Sequence, residues 1–286
     1  MRIVLGTAQF GLDYGLANSN GRVREFEVRR ILARAIDLGV DTLDTATAYG
    51  ETERILGEIG ISRLKVITKI AKVNDWQHKS ARWVGQCIEE SLERLQCAAV
   101  YGLLLHRPLD LVTPNGFQIY EALVDAKRQG LISKFGVSVY GPEELDRLDE
   151  FKFDLVQAPM SVLDRRLKNS GWLERLVARG TEIHVRSAFL QGLLLMAARS
   201  RPAYFSPWHD LLSDYDTWVE QHRMTKLQGC LGFLNANPEI DGVVVGVDNV
   251  EQLQNILAAA NRPTAAFPER LQSSDSGLIN PTMWEL

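Results

Sequence analysis

Four side chains in the first 106 residues have the types and order to move a proton: Asp44, Tyr49, Lys69 and His106. Asp44 lies at the end of the run "DTLDTA" (41–46), Lys69 at the end of "LKVITKI" (64–70) and His106 at the end of "YGLLLH" (101–106). Tyr49 follows Asp44 in "DTATAYGETERILG", a stretch longer and bulkier than a strand-to-helix turn needs. A phenol has an ordinary pKa of about 10 and is a poor acid near neutrality. An ammonium beside it stabilises the phenolate, and a carboxylate holds the ammonium in place. A histidine on the other side orients a carbonyl by hydrogen bonding. So equipped, Tyr49 would give a proton to a carbonyl oxygen while hydride arrives at the carbon. Taken singly, each residue has an ordinary reading: Asp44 as a turn residue, Tyr49 as a loop aromatic, Lys69 as a stem reaching solvent, His106 as a structural histidine. Their convergence on matching strand ends favours one proton-transfer device.

Such a convergence needs strands that end at one face. Eight short runs rich in Val, Ile and Leu recur: 2–8, 41–46, 64–70, 101–106, 134–139, 153–158, 182–187 and 242–247. They lack clean alternation, as strands covered on both faces do. Helical patterns separate them. Val28, Ile31, Leu32, Ala35 and Ile36 share one face, and Val84, Ile88, Leu92 and Leu95 share another. Gly39, Gly130 and Gly180 stand where a left-handed C-terminal cap belongs, and Pro142 with Glu143 and Glu144 opens a helix. The pattern predicts an α/β chain folded as a single (β/α)8 TIM barrel over residues 1–286. A doubly wound sheet is the rival, but glycines 6, 11 and 15 of "GTAQFGLDYG" do not space as GxGxxG. Residues 197–210 read as a long loop after strand 7, and the tail from about Pro263 is either a disordered end or docks through Met283 and Trp284.

Composition narrows the classes of function. The 286 residues carry a net charge of −4, which argues against a general nucleic-acid binder. The cysteines (Cys87, Cys97, Cys230) show no CxxC, and the five histidines show no HxH or HExxH, so neither a disulfide framework nor a metal site is expected. No segment approaches a membrane span and "MRIVLG" is too short for a signal peptide, so a cytoplasmic location is expected.

The ordered Asp, Tyr, Lys, His set, together with "GTAQFG", "DTATAYG", "VITKI", "LLLHRP", "LVQAPMSVLDRR", "VRSAFLQGLL" and "VVVGVDNVEQL", resembles the aldo-keto reductase superfamily over nearly the whole chain. The resemblance implies a barrel that reduces aldehydes and ketones with a nicotinamide nucleotide, Tyr49 being the general acid/base and Asp44, Lys69 and His106 completing a tetrad. It implies cofactor contacts from Gly6 and Thr7, and from Gln157 and Ser138 at the nicotinamide carboxamide. Val139 stands where asparagine is usual, and Arg186 where many members stack a tyrosine on nicotinamide. Ser187, Leu190 and Gly192 fall in the pyrophosphate segment, and Gly246, Asp248 and Gln252 in the adenosine-phosphate segment. NADP(H) is expected ahead of NAD(H). Asp248, however, occupies a place where Ser, Arg or Lys usually meets the 2′-phosphate, unless it merely caps the following helix with Glu251 and leaves the phosphate to Arg262.

The expected partner is a small carbonyl compound, with no nucleic acid, membrane or metal. Asp13 and Tyr14 suit a hydroxylated substrate such as a sugar, and Phe10, Trp76, Tyr204, Phe205 and Trp208 are further candidates to line its pocket. Two rival functions stay open: a nucleotide-binding regulatory subunit with weak catalysis, like the potassium-channel β subunits, and an aldolase with Lys69 as Schiff-base nucleophile.

Overall fold

The computed structural model describes residues 1–70, 81–260 and 266–286; Trp76 and Arg262 lie outside the described residues. Eight strands run parallel in chain order: β1 (Arg2–Gly6), β2 (Thr42–Asp44), β3 (Lys65–Ile70), β4 (Val100–Leu105), β5 (Ile132–Ser138), β6 (Leu155–Pro159), β7 (Glu182–Arg186) and β8 (Gly242–Gly246). β8 closes the barrel on β1, in register from Arg2↔Gly242 to Gly6↔Gly246.

Parallel neighbours need crossovers, and helices supply them. In chain order these are α1 (Ala8–Gly11), α2 (Glu25–Asp37), α3 (Thr52–Ile59), α4 (Ala81–Leu95), α5 (Gly116–Arg128) and α6 (Pro142–Arg147). There follow α7 (Arg166–Asn169), α8 (Trp172–Ala178), α9 (His209–Gln221), α10 (Lys226–Asn235), α11 (Val250–Ala260) and α12 (Ser276–Ile279). The stripes expected from sequence face the sheet: Val28, Ile31, Leu32 and Ala35 of α2 are buried, as are Val84, Ile88 and Leu95 of α4. Gly39, Gly130 and Gly180 have φ of 81°, 77° and 70°, so each turns its chain out of a helix in a region that L side chains disfavour.

Side chains alternate in and out along each strand. Ile3, Leu5, Leu43, Val66, Ile70, Val156, Ile183 and Val185 join the layer between sheet and helices, whereas Ile67, Leu104 and Leu155 form a separate apolar cluster inside the barrel. Below that cluster Glu182 gathers Arg2 (2.5 Å), Lys134 (2.5 Å), His184 (2.8 Å) and the Tyr101 hydroxyl (2.6 Å). The barrel is therefore filled from its N-terminal face, and open chemistry is left to the C-terminal face.

After β7 the chain departs from a plain loop. Residues 198–200 and 203–208 form 3₁₀ turns that lead into α9, an extra helix before α10. Tyr204, Phe205 and Trp208 do not line a pocket. They pack on one another and on the tail, with Phe205 edge-on to Trp284 at 5.0 Å, Trp208 Nε1 donating to Asp275 at 3.0 Å and the Tyr204 hydroxyl donating to Gly277 O at 3.0 Å. The tail thus docks, and Leu271, Leu278 and Ile279 are buried in it. Phe10 likewise belongs to the core.

Candidate active site

The inward parity that carries Ile67, Leu104 and Leu155 also carries Lys69, His106 and Gln157 two residues further along, above the apolar plug. Asp44 closes β2, level with Gly6 on β1. Its carboxylate meets Lys69 Nζ at 2.5 Å, and the ammonium also donates to Thr45 O at 3.0 Å. Gln157 Nε2 donates to the second Asp44 oxygen at 2.7 Å. Asp44 is 2% and Lys69 1% exposed, so the pair is withdrawn from water and satisfied from three strands. Burial pulls the Lys69 ammonium down, but the Asp44 carboxylate and the Tyr49 phenol more than offset it, and the lysine is held above its ordinary value. A Schiff-base lysine must be neutral, so this environment speaks against the aldolase reading.

Tyr49 hangs over this pair because its loop is pinned at both ends. Thr45 and Thr47 donate backbone N–H to Ile67 and Lys69 of β3, and the Thr52 hydroxyl opening α3 donates to Tyr49 O at 2.7 Å. Gly11 lies so close that a Cβ there would stand 1.9 Å from Tyr49 O. Lys69 Nζ sits 5.3 Å from the Tyr49 ring centroid, and the His106 ring meets the tyrosine edge-on at 6.3 Å. Burial, then the Lys69 and Arg186 charges, lower the His106 pKa to about 4, so the imidazole is neutral at physiological pH.

A cavity of about 350 Å³ opens beside Asp44, Tyr49 and Gln157 and runs past Arg186, Ser187 and Gly192 to Gly246, Asp248 and Gln252. Gly6 and Thr7 line it as well, whereas Ser138 and Leu190 do not; the Leu190 side chain is packed in the core. The backbone from 187 to 192 is unusual: Ser187, Leu190 and Gln191 have φ of 62°, 46° and 52°, and Gly192 has 94°. Left-handed non-glycine residues cost of order 1–3 kcal/mol each and persist where the surroundings over-determine them. The restraint here is Ala17, whose N–H donates to Gln191 O at 3.2 Å and whose Cβ would lie 2.5 Å from any Cβ at residue 192.

At the far end Asn249, not Asp248, caps α11: its side chain accepts from Gln252 N at 2.9 Å. Asp248 Oδ2 accepts from the Gln252 amide at 3.2 Å, and Asp248 Oδ1 is buried without a hydrogen-bond partner among the described residues. Asn255, one turn after Gln252, lines the same wall, as does Gln9, whose amide would meet a Cβ at residue 246 at 2.2 Å. Neither was singled out from sequence; the three-residue spacing of Gln252 and Asn255 on a helix was the available signal for one of them. An elongated cavity with a carboxylate residue, Asp248, at one end, a guanidinium at the other and close glycines between suits a dinucleotide. Among the described residues no three His, Cys, Asp or Glu side chains gather as a metal ion would need, and no helix is long and apolar enough to cross a membrane.

The model of the Aldo/keto reductase family matches residues 2–267. The chain belongs to that family. Similar to this aldo-keto reductase are the uncharacterised oxidoreductase YqkF of Bacillus subtilis, 26% identical with 90% of each chain covered, and L-galactose dehydrogenase of Arabidopsis thaliana, 26% identical with 91% of this chain and 86% of that one covered. An aldo-keto reductase of Bacillus halodurans, solved in its holo form, shares the fold with a TM-score of 0.73 at 21% identity, over 92% of this chain and 88% of that one. The chain is thus an enzyme of the aldo-keto reductase type, a family of oxidoreductases that use nicotinamide cofactors.

Proposed function

We propose that this enzyme reduces an aldehyde or ketone to an alcohol with Tyr49 as the group that protonates the carbonyl oxygen. A nicotinamide nucleotide held along the cavity by Gln157, Ser187, Gly192 and Asp248 would supply the hydride that the carbonyl carbon receives. The observation that carries the reading is the buried Asp44–Lys69 pair against the Tyr49 ring. The ammonium stabilises negative charge on the phenol oxygen as its proton leaves, and Asp44 keeps that ammonium charged and oriented. His106, neutral above about pH 4, offers a ring N–H to the carbonyl without competing as an acid. Tyr49→Phe is expected to lower kcat by about 10²–10⁴-fold, with nucleotide affinity nearly unchanged. A variant that keeps more than about half of the wild-type kcat would remove Tyr49 from this role.

NADP(H) is proposed ahead of NAD(H), the family's habit, with a margin narrowed by Asp248. A carboxylate repels a 2′-phosphate and accepts a hydrogen bond from a free ribose hydroxyl. Asp248 lines the cavity and helix capping has passed to Asn249, which supports this. The ratio of kcat/KM for the two nucleotides, in wild type and Asp248→Ser, tests it. A wild-type preference for NADPH by orders of magnitude that the serine variant leaves alone would show that Asp248 takes no part.

For the substrate we propose a hydroxylated aldehyde such as a sugar. Tyr14 lines the cavity, although Asp13 does not, and one relative is named for L-galactose. A panel of aldehydes, ketones and sugars assayed for kcat/KM discriminates; better turnover of unsubstituted alkyl aldehydes would reject the sugar.

A further inference from the structure

Arg186 brings a charge to the cavity that nothing among the described residues neutralises. Its guanidinium donates to Val139 O at 3.0 Å and to Ser187 Oγ at 3.4 Å, and it lies 4.6 Å from the Tyr140 ring centroid. Those partners are all uncharged. Among the described residues no carboxylate comes within ion-pair distance of it. Glu144, which feels its field, accepts instead from Tyr140 N at 2.6 Å. The other charges at this end cancel, since Lys69 and Asp44 form a pair at 2.5 Å. The cavity end that holds Tyr49 and Gln157 therefore carries one net positive charge, in a partly buried place where Coulomb terms are not screened away. The reach of that field is visible at His106, where Arg186 adds to the effects of burial and Lys69.

A nicotinamide ring that serves Tyr49 must stand at this same end. A hydride donor has to approach the carbonyl carbon to about 3–3.5 Å while the oxygen is on the tyrosine hydroxyl. The oxidised ring is a cation and the reduced ring is neutral, so hydride transfer changes the charge facing Arg186 by one unit. We propose that Arg186 is a redox-bias residue: its unneutralised guanidinium makes the site hold the reduced nucleotide more tightly than the oxidised one, which favours loading of the reduced form and release of the spent cofactor and makes hydride transfer on the enzyme correspondingly less favourable. The proposal rests on the reading under Proposed function and adds to it a preference between the two redox forms of the cofactor. At an effective dielectric of about 20–40 and a separation of about 5–6 Å, one such charge discriminates by roughly tenfold to a hundredfold.

The test is equilibrium binding of both redox forms of one nucleotide, by nicotinamide fluorescence for the reduced form and calorimetry for the oxidised form. It uses wild type, Arg186→Met and Arg186→Lys, with ADP-ribose as a ligand that lacks the ring. Wild type is expected to bind the reduced form about tenfold to a hundredfold more tightly than the oxidised form. Arg186→Met should bring that ratio to within about threefold, chiefly by tightening the oxidised form, while Arg186→Lys keeps most of it. ADP-ribose, which lacks the ring, reports what loss of the Arg186 charge and of its bond to Ser187 does to the rest of the cleft; that change is common to both redox forms and leaves their ratio unaffected. Equal affinities in wild type, or a ratio that survives in Arg186→Met, would overturn the proposal and leave the reductase reading standing. Failure of both redox forms to bind wild type would overturn the proposal and the reductase reading together.

Discussion

Lys69 stays charged at 1% exposure because Asp44 and Thr45 surround it with acceptors, and the same contacts define what its loss would do. Lys69→Met leaves a buried carboxylate unpaired, which costs about 3–5 kcal/mol, and removes the ammonium beside Tyr49. The double variant Asp44→Asn, Lys69→Met is expected to recover much of that stability and none of the activity. Thermal unfolding and kcat measured together check this; a single variant with unchanged Tm and rate would show the pair to be incidental. His106 makes a second residue-scale prediction. Its folded pKa of about 4 lies below the ordinary value of 6.5, so the unfolded chain binds the proton more readily between these values. Stability from this group is full above about pH 6.5 and is lost as pH falls toward 4, the loss amounting to about 2.5 kcal/mol at pH 4.5. Urea unfolding at pH 7 and 4.5 should show that loss in wild type and not in His106→Gln. No His106 limb is expected in the rate profile between about pH 5 and 8.

At the scale of elements, the segment 187–192 behaves as a preformed cradle. Its four left-handed residues would relax if Ala17 did not hold them from the segment after α1. Gly192→Ala meets both a φ of 94° and an approach of 2.5 Å to Ala17 Cβ. The expected result is about 1–3 kcal/mol of lost stability and nucleotide binding weakened by about tenfold or more. An alanine variant with wild-type Kd would mean that the cradle adapts freely. α3 is held by a different device. Buried Glu53 accepts from Thr68 at 2.5 Å on β3 and from Ser91 at 3.3 Å and Arg94 at 2.8 Å on α4. Because α3 begins at the threonine that pins Tyr49, this carboxylate ties the loop bearing the tyrosine to the barrel wall.

For the whole molecule, the tail is part of the fold's support. Leu271, Leu278 and Ile279 are buried, Phe267 stacks 3.9 Å from Trp218 of α9, and Arg165 donates to Leu271 O at 2.9 Å and Pro268 O at 3.1 Å beside β6. Removing residues 266–286 would expose this apolar surface along with Phe205 and Trp208. Three fully buried aliphatic side chains at about 1.5–3 kcal/mol each make a loss of roughly 5 kcal/mol or more, and a Tm fall of about 10 °C. Scanning calorimetry of the truncated chain would check it; an unchanged Tm would make the tail an ornament.

The eight strands, their parallel closure and the buried helix stripes were all legible in the sequence. Each is written in local periodicity and in cap residues such as Gly39 and Gly130, which act over a few positions. Also legible were Asp44, Lys69 and His106, because strand ends are points that topology brings together. What only the tertiary structure decided depends on distances between parts remote in sequence. Tyr204, Phe205 and Trp208 were free to line a pocket or pack on a tail until the tail's position was known. Asp248 could be read from sequence as a cofactor contact or as a helix cap, and the passing of the cap to Asn249 turned on a difference of one residue. Arg186 could be read from sequence as a cation, but that no carboxylate among the described residues answers it follows only from how β5, β6 and β7 set their neighbours around the cavity.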